Sequence, residues 1–499
     1  MSTFALSDIL PDVAGFLGSG PLPMFIGGEW GPAAQGLRFT TSDPGTGETL
    51  AEVAEGGPID IDRAVRAAAL AFRDSGWAAM PAQGRREILY RLAGLVETNA
   101  PALAQIESLD VGKPVRQAAG FDVPNVAQTL RYYADLAVET GLRLPIPVDR
   151  YEAWTYRAPY GVCAFILPWN FPFLLLGWAF APALAAGNTV VLKPAEDTPL
   201  TSLYFCRLAR QAGIPPGVIN VVPGYGETAG AALAAHPLIQ RMGFTGSPEV
   251  GSKIAASCGA NLVPVKLELG GKGAAVVFDD VDVPHTAAAL AAAITLNSGQ
   301  VCCTATRWLI HESILDHFID AVRHHLSSLS IGHGLDPHTD MGPLVSRRQM
   351  DRVLSYISRG KEEGAGLLLE GGPAVVPETP KGFYVKPCLM MGVPGNVCAR
   401  EEIFGPVAYV MPFQSEEQAV TLVNRSPYGL ANSVWTRDLD RARRVAEAMV
   451  AGNSWINAHN VFQHGIPYAG HKLSGLGGGV LGPDTLLDYL RPQSIVRPL

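Results

Sequence analysis

Gly161-Val162-Cys163-Ala164-Phe165-Ile166-Leu167-Pro168-Trp169-Asn170-Phe171-Pro172 opens with an apolar run and breaks between two prolines. Phe173–Ala186 is rich in Leu, Ala and Phe, Gly187-Asn188 marks a turn, and Thr189-Val190-Val191-Leu192-Lys193 is a second apolar run. The stretch reads as strand, loop, helix, turn and strand. Such a βαβ unit requires a parallel sheet covered on both faces and a right-handed crossover. Ala158 to Leu192 carries no charged side chain and is long enough to span a bilayer. Pro168, Asn170, Pro172 and Pro182 interrupt it, and a broken helix of that kind needs a surrounding bundle that the rest of the chain lacks. A buried α/β segment is therefore expected, with no membrane partner.

The rhythm continues outward. Val162–Leu167, Thr189–Lys193, Val218–Val222, Arg241–Phe244 and Pro264–Leu267 read as strands, with helices at Phe173–Ala186, Leu200–Ala212, Thr228–Ala235 and Val250–Cys258. A second series has the strand Ala274–Phe278, the helix Val283–Asn297 and the strand Thr306–His311, and runs on to about Asn457. The first 140 residues are helical in pattern, with Leu89, Leu92, Ala93 and Val96 on one face. Leu142 to Tyr156 and Asp488 to Leu499 look like extended arms, whose exposed edges call for a partner chain. A homo-oligomer, dimer or tetramer, is expected.

Composition narrows the class. The 499 residues are 48% hydrophobic and 17% charged, as in a globular protein of more than one structural unit. A net charge of −8 without like-charge blocks argues against a nucleic-acid partner, and Arg85-Arg86 and Arg347-Arg348 read as solvated helix faces. Seven cysteines without a CxxC pair suit reduced thiols in the cytoplasm, and Met1–Asp8 has no signal-peptide pattern. No metal site is expected: His324 and His325 are helix neighbours that cannot share a face, and His333 and His338 read as exposed in a Gly/Pro loop.

Several clusters carry chemistry. Asn297-Ser298-Gly299-Gln300-Val301-Cys302-Cys303 places two thiols in a small-residue loop between helix and strand, and composition alone does not choose between them. A free thiol near pKa about 8.5 needs local stabilisation to act as a nucleophile at neutral pH. Leu267-Glu268-Leu269-Gly270-Gly271-Lys272 offers a carboxylate able to activate water. Asn170, fixed between prolines at a strand end, suits an oxyanion donor. Lys193-Pro194-Ala195-Glu196 ends the next strand; a carboxylate there can accept ribose hydroxyls and repel a 2′-phosphate, favouring NAD over NADP. The Gly224-Tyr225-Gly226 run is a weak dinucleotide signal, whereas Phe244-Thr245-Gly246-Ser247 opens a helix where a pyrophosphate fits. Glu401-Glu402-Ile403-Phe404 sets a carboxylate beside an aromatic ring.

In their joint order these motifs, from Phe25-Ile26-Gly27-Gly28-Glu29-Trp30 to Pro467–Gly475, resemble the aldehyde dehydrogenases over nearly the whole chain. The resemblance implies an α/β fold with a Rossmann-like cofactor domain (1–140 and 157–269) and an α/β catalytic domain (270–472). A small β oligomerisation arm (141–156) and a C-terminal tail (473–499) complete it. It implies Cys302 as nucleophile, Asn170 as oxyanion donor and Glu268 as the base that hydrolyses a thioester. Trp169, Lys193, Glu196, Gly226, Gly246, Ser247, Leu269, Glu402 and Phe404 are the implied cofactor contacts. The carboxyl region departs from the family at Gly477-Gly478-Gly479, where an Arg-Glu pair is common.

Phe171, Leu174, Trp178, Val301, Cys303 and Phe462 are expected to line the aldehyde tunnel, which favours a hydrophobic or aromatic aldehyde. No arginine lies between Trp455 and Gly470 to hold a semialdehyde carboxylate, and His459 and His464 read as surface-loop residues. A semialdehyde or amino-aldehyde dehydrogenase of the same mechanism is the nearest alternative. Glu268 argues against a CoA-acylating enzyme. No histidine signature near Cys302 supports a cysteine hydrolase, and the presence of Asn170, Glu268 and Cys302 together argues against an inactive binding protein.

Overall fold

The computed structural model describes residues 9–499; the Met1–Asp8 stretch read for a signal peptide lies outside them. The fold is α/β. An eight-stranded sheet runs in the order Glu29–Gly31, Met24–Ile26, Ile219–Val221, Thr189–Lys193, Val162–Ile166, Arg241–Thr245, Val265–Glu268 and Gly475–Leu476. Its five inner strands are parallel, and its edges pair antiparallel. From Val162–Ile166 the chain winds first to one side and then returns to add Arg241–Thr245 on the other. That reversal opens a crevice at the carboxyl ends of these two strands, where α/β sheets bind ligands. The helix Pro172–Ala185 is buried all round except at Leu175, which explains its uninterrupted apolar sequence.

A seven-stranded sheet includes Gly273–Val277, Ala305–His311, Val407–Phe413 and Ala431–Trp435 at its centre. A third, antiparallel sheet joins Arg143–Ile146, Tyr151–Pro159 and Leu490–Pro498, so the two extended arms pair with each other. Gly475–Leu476 leaves the tail segment to cap the first sheet beside Glu268. Among the described residues, no helix is long and apolar enough to cross a membrane.

Three expectations need correction. The first 140 residues are not uniformly helical, because four short strands lie between the helices Pro11–Leu17 and Pro58–Asp74, at Met24–Ile26, Glu29–Gly31, Arg38–Ser42 and Thr49–Ala54. The first hairpin turns on Gly27 and Gly28, at φ 64° and 87°, the two positive values that a tight hairpin turn demands. Arg85 is not on a solvated face: it is buried, and its Nε donates to the Ala185 carbonyl at 3.0 Å. His333 is also buried, with Nε2 2.8 Å from Asp43 Oδ2. In both, partners distant in sequence satisfy a polar group that local composition would leave in water.

Lys113 is fully buried 2.6 Å from Asp122 and 3.3 Å from Glu107, with its ammonium 4.0 Å from the Phe171 ring centroid. Removing the cation would strand two carboxylates in a dry site. Lys113→Ala is expected to destabilise the protein by about 3–5 kcal/mol, read as a lowered thermal denaturation midpoint. An unchanged midpoint would mean that water reaches the pair.

Candidate active site

Three adjacent strand ends build one wall. Val162–Ile166 runs into the loop carrying Trp169, Asn170 and Phe171. Arg241–Thr245 runs into Gly246 and Ser247, and Val265–Glu268 ends on Glu268, which lies opposite Thr245 in register. The other wall comes from the second sheet, where the loop between the helix Val283–Thr295 and the strand Ala305–His311 carries Cys302. A continuous cleft of about 580 Å³ separates them and is lined from both sides.

The cysteine loop is held in a costly shape. Asn297, Ser298 and Gly299 are all left-handed, at φ 46°, 57° and 76°. Such non-glycine residues cost on the order of 1–3 kcal/mol each and persist only when their surroundings fix them. Here Asn297 Nδ2 donates to the Asn170 carbonyl at 2.8 Å, and Ser298 Oγ to the Gly342 carbonyl at 2.8 Å. Gln300 Oε1 accepts from the Val345 N–H at 3.0 Å. A Cβ on Gly299 would lie 2.3 Å from the Gly405 carbonyl, so this position needs glycine for space as well as for φ.

Asn170 is buried and spends one amide hydrogen on the Gln300 carbonyl at 3.0 Å, which fixes the group and leaves its second N–H free to donate. Glu268 is 8% exposed, and neither carboxylate oxygen has a hydrogen-bond partner. Burial pushes its carboxyl well above the usual range, against the pull of Lys266. Lys266 in turn meets Asp488 at 2.9 Å and donates to the Gly479 carbonyl, within the glycine run that departs from the family. Cys302 is half-buried. Contact with Cys303 holds its thiol below the usual range, burial opposes this, and the Tyr468 phenol adds to the lowering.

Of the expected cofactor contacts, Trp169, Gly246, Ser247, Leu269, Glu402 and Phe404 line the cleft. Trp169 and Phe404 meet edge to face at 5.3 Å, and Glu402 accepts from the Gly271 N–H at 2.8 Å. Ser247 caps the helix Pro248–Ala260, accepting from the Val250 N–H. Lys193, Glu196 and Gly226 do not line the cleft; Lys193 and Glu196 pair beside the turn that Gly226 opens. Lys193 Nζ is 3.1 Å from Glu196 Oε2, and a Cβ on Gly230, at the end of the Gly226–Gly230 turn, would touch the Lys193 side chain. Lys193 lies level with Ile166 in the sheet, at the foot of the Asn170 loop. A helix N-terminus, a buried ammonium and a carboxylate, disposed along successive strand ends, fit the phosphates and ribose of a dinucleotide.

The expected tunnel residues Phe171, Leu174, Trp178, Val301, Cys303 and Phe462 all line the same cleft and pack as one apolar cluster around Cys302. Trp178 lies 5.7 Å from Phe462, and Phe121 lies 5.9 Å from it, centroid to centroid. His459 and His464 are not surface-loop residues. Both are half-buried; His459 bridges Ser433 and the Cys303 carbonyl at 3.0 Å each, and His464 contacts Thr129 at 2.9 Å. Burial pushes the His459 imidazole down to about 4, so it stays neutral as a strut behind the cysteine loop. Among the described residues no group of three metal-ligating side chains occurs.

Sequence reasoning left Tyr468, Lys266 and Phe121 unassigned. Tyr468 lies inside the quoted Pro467–Gly475 motif, where an aromatic hydroxyl in a glycine-rich loop was a usable signal. Lys266 precedes Glu268 by two positions on a strand, hence on the same face. Phe121 reaches the cleft from a helix distant in sequence and left no local signal.

Residues 30–495 match the Aldehyde dehydrogenase family. The mitochondrial aldehyde dehydrogenase of Rattus norvegicus is 43% identical over 476 residues, covering 95% of this chain and 91% of the relative. The phenylacetaldehyde dehydrogenase of Pseudomonas fluorescens is 43% identical over 484 residues, covering 95% and 96%. The NAD+ complex of a Bacillus cereus aldehyde dehydrogenase superimposes with a TM-score of 0.96 at 39% identity, covering 99% of both chains. With a family match over nearly its full length and these relatives, the chain belongs to the aldehyde dehydrogenase family.

Proposed function

We propose that this enzyme oxidises a hydrophobic or aromatic aldehyde to its carboxylic acid with NAD, through a covalent intermediate on Cys302. The observation that carries this reading is the convergence of Cys302, Asn170 and Glu268 on one cleft whose opposite lining suits a dinucleotide. In this reading the Cys302 thiolate attacks the aldehyde carbon, an S–C bond forms, and the carbonyl π electrons move onto oxygen. The free Asn170 N–H and the Cys302 backbone N–H stabilise that oxyanion. Bound nicotinamide supplies a hydride acceptor for the next step, which leaves a thioester on the sulfur. Glu268 takes a proton from water as its oxygen bonds the acyl carbon, and the S–C bond breaks to release the acid and the Cys302 thiolate.

Glu196 supports NAD over NADP, since a carboxylate at the ribose would face a 2′-phosphate. The phenylacetaldehyde dehydrogenase relative and the aromatic cage of Phe171, Trp178 and Phe462 point to the same substrate class. The reading also includes a cytoplasmic homo-oligomer, dimer or tetramer. Exposed Leu142, Leu144, Ile146, Val148 and Tyr151 on the arm support burial against another copy.

A panel of aldehydes, followed by nicotinamide absorbance with each cofactor, tests the proposal. Phenylacetaldehyde and hexanal should exceed succinic semialdehyde in kcat/KM by about 10²-fold or more, because an unpaired carboxylate is costly to bury against these rings. NAD should outperform NADP. Preference for succinic semialdehyde would overturn the substrate assignment.

A further inference from the structure

Apart from its own backbone, the sulfur of Cys302 meets two side chains that hold its thiol down, Cys303 and Tyr468. Cys303 has a single S–H, and its sulfur lies 3.4 Å from the Asn460 side-chain Oδ1. A proton spent there is not available to the neighbouring sulfur. The Tyr468 hydroxyl lies 3.4 Å from Cys302 Sγ, and in the thiolate state only the phenol of that pair carries a proton.

The phenol is rigidly aimed. Tyr468 exchanges two backbone hydrogen bonds with Val480, at 2.9 and 2.7 Å. Its ring packs against Phe462 at 5.5 Å and Trp178 at 6.1 Å, and the residue is 5% exposed. Burial, first, and the nearby sulfurs keep the phenol protonated far above its ordinary range, so it remains a donor at any working pH. Two features of the surroundings oppose a thiolate, against the lowering contacts of Cys303, Tyr468 and the Cys302 backbone. Burial disfavours the charge and Glu402 repels it. Lys266, which pulls on Glu268, is engaged by Asp488.

Resting on the reading of Cys302 as nucleophile, we infer that Tyr468 is a further catalytic residue: its hydroxyl donates to the Cys302 sulfur and stabilises the attacking thiolate. A donor held in place before the reaction lowers the cost of ionising the thiol in a dry cleft. The same contact would favour the sulfur as leaving group when the thioester is cut, because there too charge returns to it.

Tyr468→Phe keeps the ring and deletes the donor. The rate at which iodoacetamide alkylates Cys302, followed by mass on the Cys302 peptide across neutral and alkaline pH, reads thiolate without aldehyde or nicotinamide. The midpoint should rise by about one pH unit, a tenfold loss of thiolate on the acid side, with the alkaline plateau unchanged. The acid limb of kcat/KM should move by the same amount while NAD affinity stays. A merely structural tyrosine would move none of these midpoints, and an unmoved alkylation midpoint overturns the assignment. Should the phenylalanine variant fail to fold, 3-fluorotyrosine at position 468, a stronger acid of nearly the same shape, should lower the midpoint; no movement would overturn it equally. If Cys302→Ala retained turnover, the proposed function would fall, while alkylation would still report the Tyr468 contact.

Discussion

Replacing Cys302 with alanine is expected to lower kcat by at least about 10⁴-fold while leaving NAD affinity within twofold of wild type. Loss of a covalent nucleophile removes the whole two-step route, and what remains comes from binding and oxyanion donors alone. The side chain touches Tyr468 and Cys303 but none of the residues expected to hold the dinucleotide phosphates or ribose. Deleting one half-buried sulfur should therefore leave that end of the site intact. Cys303→Ala is the internal control. Burial and the adjacent Cys302 raise the Cys303 thiol well above its ordinary range, and it faces Asn460, so it is a poor nucleophile. Its removal should cost far less turnover. Stopped-flow absorbance for hydride transfer, with fluorescence titration for NAD, separates the two effects. Retained burst chemistry in Cys302→Ala would reassign the nucleophile to Cys303, the ambiguity that composition alone leaves open.

The legibility of this chain follows from where its information is local. The βαβ region could be read because parallel strands buried on both faces must be continuous apolar runs, and Thr189–Lys193 is found at its expected limits. The helix predicted over Val283–Asn297 ends at Thr295 instead, because Asn297 turns left-handed to bring the cysteine loop onto Asn170. Nothing within that helix announces this, since the partner lies in the other sheet. Short antiparallel strands such as Met24–Ile26 carry too few residues for a period to emerge, although Gly27-Gly28 was a hairpin signal in plain view. Arg85, His333 and His459 share a different cause. Each is a polar side chain satisfied by groups remote in sequence, so its burial is a property of the tertiary fold. The glycine run Gly477–Gly479 was visible as a departure from the family, but its consequence was not. Its Gly479 carbonyl and the Asp488 carboxylate together hold Lys266, which shares one face of the strand with Glu268.

Glu268→Gln should divide the reaction at its midpoint. The amide matches the carboxylate in shape but cannot accept a proton from water, so attack and hydride transfer proceed while hydrolysis slows by about 10²–10⁴-fold. Mixing with aldehyde and NAD should give a burst of reduced nicotinamide stoichiometric with active sites, then a slow steady state. The intact protein should gain the mass of one acyl group on Cys302. The wild-type carboxylate has no hydrogen-bond donor to satisfy it and burial raises its pKa, so its protonated form persists to higher pH than in an ordinary carboxyl. Because the ionised form is the base, deacylation should speed up as pH rises through that raised pKa and fall away below it. In the glutamine variant this limb should disappear. A burst absent from Glu268→Gln would mean that the carboxylate acts before hydride transfer, by drawing the proton from the Cys302 thiol. A pH limb that survives the substitution would assign it to another group, with Lys266, whose ammonium is pushed down by burial, the nearest candidate.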